Sequence, residues 1–389
     1  MTRTISTLAA ALLMSTAAYA ADPGVSDTEI KIGDVNIMTG PAAFVGKGVA
    51  LGSKIAAAEI NAAGGVNGRK ITVITEDDGY IPARSFQALT KLIEVDGIFA
   101  LNGTSGTANV LAMMPLITEN NLPTVVTTAP AELVYKPVRP TVFTFGAKYA
   151  DAFYAQLKHI SSKPESKDAV YGLIRQDDDF GKEIEAGYER AVKDFGLKDG
   201  IRLRFKKGTS NFSAEIAQMK QAGVTVIVNG GIFAGAANIL AEARKLDMNI
   251  QSAGVWSEGI PASAALSAPA GYDFMVADYV ALTGESTDKF KEMAKKYVTE
   301  EELAGISRYT YVTYIGLKTL AHAMGECGQE LTRACTVEKL KALKDFDTGG
   351  LSAPVSFDND NQLSGTAVAV YQYDTKTGAF QERTGFEQY

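Results

Sequence analysis

At 389 residues the chain exceeds what one hydrophobic core usually organises, so about two domains of roughly 150–200 residues are expected. Its composition, 46% hydrophobic and 21% charged, is that of a globular protein, and no low-complexity tract interrupts it. A net charge of −7 without any Lys/Arg cluster argues against nucleic acid or an anionic membrane as partner.

The first elements read as an export signal. Arg3 precedes the apolar run Leu8 to Met14, and Ala18-Tyr19-Ala20 supplies small residues around a larger one, so cleavage is expected after Ala20. The run is too short to cross a bilayer of about 30 Å. The mature product is therefore expected outside the cytoplasm. There, Cys327 and Cys335, eight positions apart, read as a disulfide joining the end of one helix to the start of the next.

From Glu29 onward, strand and helix periods alternate. Ile30, Ile32, Val35 and Ile37 nearly alternate as in a strand; Leu51, Ile55, Ala58 and Ala62 then share one helical face. Gly64-Gly65 and Asn67-Gly68 stop that helix and turn the chain. Strands at 71–75, 98–101 and 124–127 follow, separated by a helix opening at Pro82 and another over 108–119. The rhythm restarts with a helix over 151–160, a strand over 169–174, a helix over 182–195 and a strand over 201–205. A helix over 212–222, a strand over 224–228 and a helix over 236–246 come next, then strands at 252–256 and 274–280. Residues 288–346 read as mainly helical, and 366–383 as a hairpin around Thr377-Gly378. Such alternation means right-handed crossovers and parallel sheets covered on both faces, here in two doubly wound α/β lobes.

In open α/β sheets, ligands bind beyond the carboxyl ends of the strands. Those ends carry small hydroxyl residues and glycines here: Gly103-Thr104-Ser105-Gly106-Thr107, Thr127-Thr128-Ala129 and Gly230-Gly231. They let a carboxylate approach backbone N–H groups, although the same residues are ordinary turn and cap formers. No nucleophile elbow, P-loop, dinucleotide fingerprint or zinc spacing occurs. Asp177-Asp178-Asp179 lacks the spaced ligands of a calcium loop and reads as a helix-capping loop. Asp77-Asp78 reads as a similar loop. Both histidines, His159 and His322, fall within helices. No enzyme activity, cofactor or metal is expected.

Specific strings then carry a resemblance. Ile30-Lys31-Ile32-Gly33, Thr39-Gly40-Pro41-Ala42 and Glu59 to Lys70 (EINAAGGVNGRK) resemble periplasmic solute-binding proteins of the leucine/isoleucine/valine-binding type, the receptors of ABC importers. The resemblance continues over 82–96, 103–130 and 172–191. It implies a periplasmic receptor with a type I periplasmic binding fold: two Rossmann-like lobes joined by three crossovers. With 1–20 as signal peptide, the N-terminal lobe takes 22–145 and 278–349, and the C-terminal lobe 146–277 and 350–389.

Carried over position by position, the ligand contacts fall on Phe44, Ser105, Gly106, Thr107, Thr127, Thr128, Ala129, Tyr149, Phe233 and Glu258. Glu258 matches the acid that meets an α-ammonium group. Ile232 stands where amino-acid receptors often carry an aromatic. The implied function is capture of an amino acid or related small carboxylate by a monomer that hands it to an ABC membrane permease. An aromatic or other non-amino carboxylate, a ligand-sensing subunit for a membrane receptor, and a secreted hydrolase are the alternatives.

Overall fold

The computed structural model describes residues 22–389; the expected signal peptide lies outside them. The chain opens with β1 (Glu29–Asn36), α1 (Ala43–Ala62), β2 (Lys70–Asp77), α2 (Pro82–Lys91) and β3 (Ala100–Asn102). It continues through α3 (Thr107–Glu119), β4 (Thr124–Val126), α4 (Glu132–Tyr135) and β5 (Val142–Phe145). Then come α5 (Tyr149–Ser161), β6 (Val170–Gln176), α6 (Asp179–Phe195), β7 (Lys198–Phe205), α7 (Ser213–Gln221) and β8 (Val226–Gly230). α8 (Ala234–Lys245), β9 (Gln251–Gly254), α9 (Pro261–Ser267) and β10 (Phe274–Asp278) complete that run. Four helices follow: α10 (Glu285–Ala294), α11 (Glu300–Ala304), α12 (Arg308–Gly325) and α13 (Arg333–Lys341). The chain ends in β11 (Leu363–Ser364), β12 (Ala367–Asp374), β13 (Ala379–Glu382) and β14 (Glu387–Gln388).

One sheet has the order β11-β5-β4-β3-β1-β2, all pairs parallel. The other runs β13-β12-β10-β9-β8-β6-β7, parallel from β10 to β7 and antiparallel at β12 and β13. The chain passes between them three times: after β5, after β10 and after β11. Two doubly wound lobes joined by three crossovers are thus present.

Burial explains the strands. Successive side chains point to opposite faces, and in the second sheet both faces are covered. Val226, Val228, Met275 and Ala277 join the core that extends through α5 into the first lobe. Ile227, Phe274 and Val276, one residue out of phase, join the core on the other face. At the α1–β2 turn, Gly65 has φ +76, and a Cβ there would stand 2.2 Å from the Arg69 carbonyl oxygen. No larger residue fits. Cys327 and Cys335 are bonded, tying the end of α12 to α13.

The observed lobes correct one boundary. Residues 350–364, assigned from sequence to the second lobe, complete the first sheet through β11. Phe357 packs on Phe143 at 5.3 Å, and the Gln362 side-chain amide donates to the Val142 carbonyl at 2.8 Å. Strand β5 was also absent from the sequence reading. Its four residues are all buried and so show no alternation.

Candidate ligand-binding site

The first-lobe strand ends build a polar wall. Beyond β3 the chain turns through Gly103 (φ +77), Thr104 (φ +95) and Gly106 (φ +87) before α3 begins. A Cβ on Gly106 would press on the Tyr80 ring at 2.5 Å, so only glycine lets the loop pass. Ser105 bridges to Thr128 of the next strand-end loop. Its hydroxyl donates to Asn36 Oδ1 at 3.0 Å, and the Thr128 hydroxyl lies 3.2 Å from Ser105 Oγ and also donates to the Thr104 carbonyl. Because α3 starts at Thr107, its first-turn N–H groups have no partner within the helix and can meet an anion.

Tyr80 extends this wall in a left-handed conformation (φ +66), held by its N–H to Asp78 Oδ1 at 2.8 Å. Buried Asp78 also accepts from Ser85 (2.7 Å) and from the side-chain amide of Asn109 in α3 (2.9 Å). One carboxylate thus fixes the relative placement of the α2 start, the α3 start and Tyr80.

The second-lobe wall is aromatic. Tyr149, first residue of α5, stacks on Trp256 at 4.3 Å between centroids and meets Phe180 edge-on at 4.8 Å. Phe233, in a strained backbone conformation (φ +53) at the start of α8, lies edge-on to Phe44 of the first lobe at 4.9 Å. Lys207, the one cation lining the cavity among the described residues, sets Nζ 3.9 Å from the Tyr80 ring centroid, again across the lobes. The Glu132 N–H reaches Glu183 Oε1 at 3.1 Å, a further contact between lobes. Burial raises the hydroxyl pKa of Tyr80, Tyr149 and Tyr309, so all three keep their protons.

Between the walls lies a cavity of about 180 Å³. That is below the roughly 300–1,000 Å³ of drug-sized sites, a volume for a small metabolite. Ser105, Gly106, Thr107, Thr128, Tyr149 and Phe233 line it, as does Ile232. The other sequence-derived candidates do not. Thr127 and Ala129 are buried behind the wall, where the Thr127 carbonyl accepts from the Tyr279 hydroxyl at 2.6 Å. Phe44 backs Phe233 rather than facing the cavity. Glu258 is 1% exposed and turns its carboxyl under Gly254, where a Cβ would stand 2.4 Å from Oε1; burial pushes that carboxyl up to about 8. Val255, Trp256 and Ser257 take its place at the surface. Tyr80, Phe180, Lys207, Trp256 and Tyr309 line the cavity without having been singled out.

Behind Trp256, the crossover after β10 is pinned by an ion pair. Arg308, opening α12, donates through Nε to Asp278 Oδ2 (2.5 Å) and through Nη2 to Oδ1 (3.0 Å), and both side chains are fully buried. The guanidinium lies 5.0 Å from the Tyr279 and Tyr309 ring centroids and 5.6 Å from that of Trp256. No described helix is long and apolar enough to cross a membrane.

This architecture, two lobes closed on a small cavity at their strand ends, is matched by a family model described as periplasmic binding protein, over residues 29–379. The chain belongs to the periplasmic binding protein family. Among relatives of this binding protein, Leu/Ile/Val-binding protein homolog 7 of Brucella suis biovar 1 (strain 1330) is 24% identical over 367 residues, 90% of each chain. The leucine-specific-binding protein of Salmonella typhimurium (strain LT2) is 23% identical over 374 residues, 92% of this chain and 94% of that one. A branched-chain amino acid ABC transporter structure from Thermus thermophilus with bound valine superimposes with a TM-score of 0.80 at 19% identity. It covers 94% of this chain and 98% of that one. A solute-binding protein from R. palustris in complex with 4-hydroxybenzoate gives 0.79 at 16% identity, over 92% and 97%.

Proposed function

We propose that the protein is an exported, periplasmic and monomeric receptor that captures a small organic carboxylate and delivers it unchanged to an ABC membrane permease. The carrying observation is the partly open cavity between lobes, with the amino end of α3 on one side and aromatic rings on the other. In this reading the carboxylate docks first on the Thr107 hydroxyl and the first-turn N–H groups of α3. Each charge-assisted hydrogen bond then contributes about 1.5–3 kcal/mol. Closure brings Tyr149, Trp256 and Phe233 over the remainder. The names of the Brucella and Salmonella relatives support an amino acid as that carboxylate.

The position of Glu258 favours a second reading, an aromatic or other non-amino carboxylate. With that acid folded under Gly254, the carboxylates left at the cavity are those of Asp178, which already accepts from the Gly181 N–H, and Asp179, which pairs with Lys182. Thermal shift with leucine, phenylalanine, 4-hydroxybenzoate and their analogues separates the two. A solute at 100 times its Kd stabilises by about 2.7 kcal/mol. Absence of any shift across such acids would overturn the carboxylate assignment, and turnover of a bound acid would overturn the receptor role.

A further inference from the structure

The first-lobe wall is backed by buried polar groups that never reach the cavity. Asp34 of β1 is fully buried and accepts a hydrogen bond from the Asn36 side-chain amide. Strand geometry puts residues two apart on one face, so this contact is local and turns the other end of the amide, Oδ1, toward Ser105. The Ser105 hydroxyl donates to it at 3.0 Å. A hydroxyl has one proton, so Ser105 keeps only lone pairs for a solute. Thr128 has likewise committed its proton, to the Thr104 carbonyl, with Ser105 Oγ 3.2 Å away.

We propose that Asp34 and Asn36 are positioning residues that fix Ser105 as a hydrogen-bond acceptor in the cleft, beside Thr128 whose proton the Thr104 carbonyl holds, so that the preferred solute carries a donor beside its carboxylate. This rests on the small-carboxylate reading and deepens it. A 2-hydroxy or 2-amino acid satisfies both parts of the wall: its carboxylate faces the donors at the start of α3, and its neighbouring O–H or N–H faces Ser105 and Thr128. A 2-oxo acid would set two acceptors against each other.

One proton controls this polarity. If the Asn36 amide were reversed, its carbonyl oxygen would face Asp34, which is tolerable only when Asp34 is protonated, and Ser105 would then be free to donate. The groups around Asp34 do not titrate: Ser53 of α1 (3.5 Å from Oδ2), Gly103 after β3, and Thr313 of α12 beside Gly103. The charged neighbour is Asp78, in the loop after β2. Burial foremost, with Asp78 adding, raises the Asp34 carboxyl to about 8. Ionisation on going from about pH 6 to about pH 9 therefore locks the amide, and preference for a donor-bearing solute rises with pH.

Trp256, the single tryptophan, lines the cavity and gives a fluorescence signal for binding. The probes are the 2-hydroxy and 2-oxo counterparts of leucine and of phenylalanine, titrated from about pH 6 to about pH 9. The better-fitting 2-hydroxy acid is expected to bind about tenfold tighter than its 2-oxo partner at the alkaline end. This ratio should shrink toward acid pH. Asp34→Asn should abolish the pH dependence, and Asn36→Ala and Ser105→Ala should each bring the ratio close to one. Ser105→Ala keeps the test alive should the buried Asn36→Ala variant fail to fold. Equal binding of hydroxy and oxo acids by the unaltered protein would overturn the proposal while leaving the carboxylate reading standing. A ratio that ignores pH, or survives Ser105→Ala, overturns it as well. If none of the four acids, nor leucine nor phenylalanine, alters fluorescence or thermal stability, the carboxylate reading itself falls.

Discussion

The two walls of the cleft are held by different physics. On the first lobe, Ser105 and Thr128 are bonded to each other and to Asn36 and the Thr104 carbonyl, and Tyr80 and Asn109 to the buried Asp78 carboxylate, so their directions are set before a solute arrives. On the second lobe, Tyr149, Trp256 and Phe180 are held by ring contacts. Ring contacts are less directional than hydrogen bonds, and their main contribution is apolar area removed from water. The difference assigns a sequence to capture: the polar wall orients the carboxylate, then the aromatic wall excludes water and strengthens the hydrogen bonds beneath it.

The sharpest way to break this comparison is to cut the part the walls share. Asp278 ends a second-lobe strand and Arg308 opens a first-lobe helix, so their ion pair couples both lobes. Removing one partner leaves a buried charge uncompensated, and Arg308→Met or Asp278→Asn should cost about 3–5 kcal/mol in urea unfolding. The double variant should recover much of that loss. If either single substitution is neutral, the pair does not couple the lobes.

A smaller effect distinguishes the walls themselves. Trp256→Ala removes the stacking partner of Tyr149 and should weaken solute binding by about 2–3 kcal/mol. Thr107→Val removes one hydroxyl donor, for about 1 kcal/mol. Calorimetric titration of both variants ranks the walls. A larger loss from Thr107→Val would mean that the polar wall supplies the affinity as well as the orientation.

What the sequence disclosed follows the same division. Ser105 and Thr107 were legible because hydroxyl and glycine residues clustered just past a strand have a chemical reason to be there. Among the aromatics lining the cavity, Tyr149 and Phe233 were reached only through the family resemblance and the others not at all, since a lone Tyr or Trp at a strand end looks like core. Yet Tyr80, Phe180, Lys207 and Trp256 all follow strand ends, after β2, β6, β7 and β9. Applying the strand-end rule to every strand, and not only to hydroxyl-rich loops, would have found them. Tyr309 lies on α12 and had no such signal. Glu258 failed for a local reason: the turn Trp256–Glu258 rotates its side chain away from the cleft and under Gly254. Periodicity gave two lobes and the family resemblance their boundaries, and 350–364 was misplaced because its irregular chain carries no period to correct the division.

Each lobe also holds a buried acid that burial raises to about 8, Asp34 in the first and Glu258 in the second. In the unfolded chain such groups titrate near 4. The folded state therefore binds more protons between about 4 and 8, and the stability this gives is full below that window and lost as pH rises through it. Melting temperature should fall from acid toward mildly alkaline pH. Glu258→Gln, which cannot ionise, should flatten part of that slope while leaving solute affinity unchanged, because Glu258 does not line the cavity. An affinity loss in that variant would return Glu258 to the binding site.

The smallest expected effect concerns the rim. Lys207 and Tyr80 meet only when the lobes are closed, and Lys207 is exposed, so their cation–π contact is worth about 0.5–1 kcal/mol. An interaction made only in the closed form slows reopening and leaves the first docking step alone. Lys207→Met keeps the length of the side chain and loses its charge. It should raise the solute dissociation rate about two- to fivefold with the association rate unchanged, as read by stopped-flow fluorescence of Trp256. A drop in association rate instead would make Lys207 a long-range attractor for the anionic solute, and increasing salt would then erase the difference between variant and wild type.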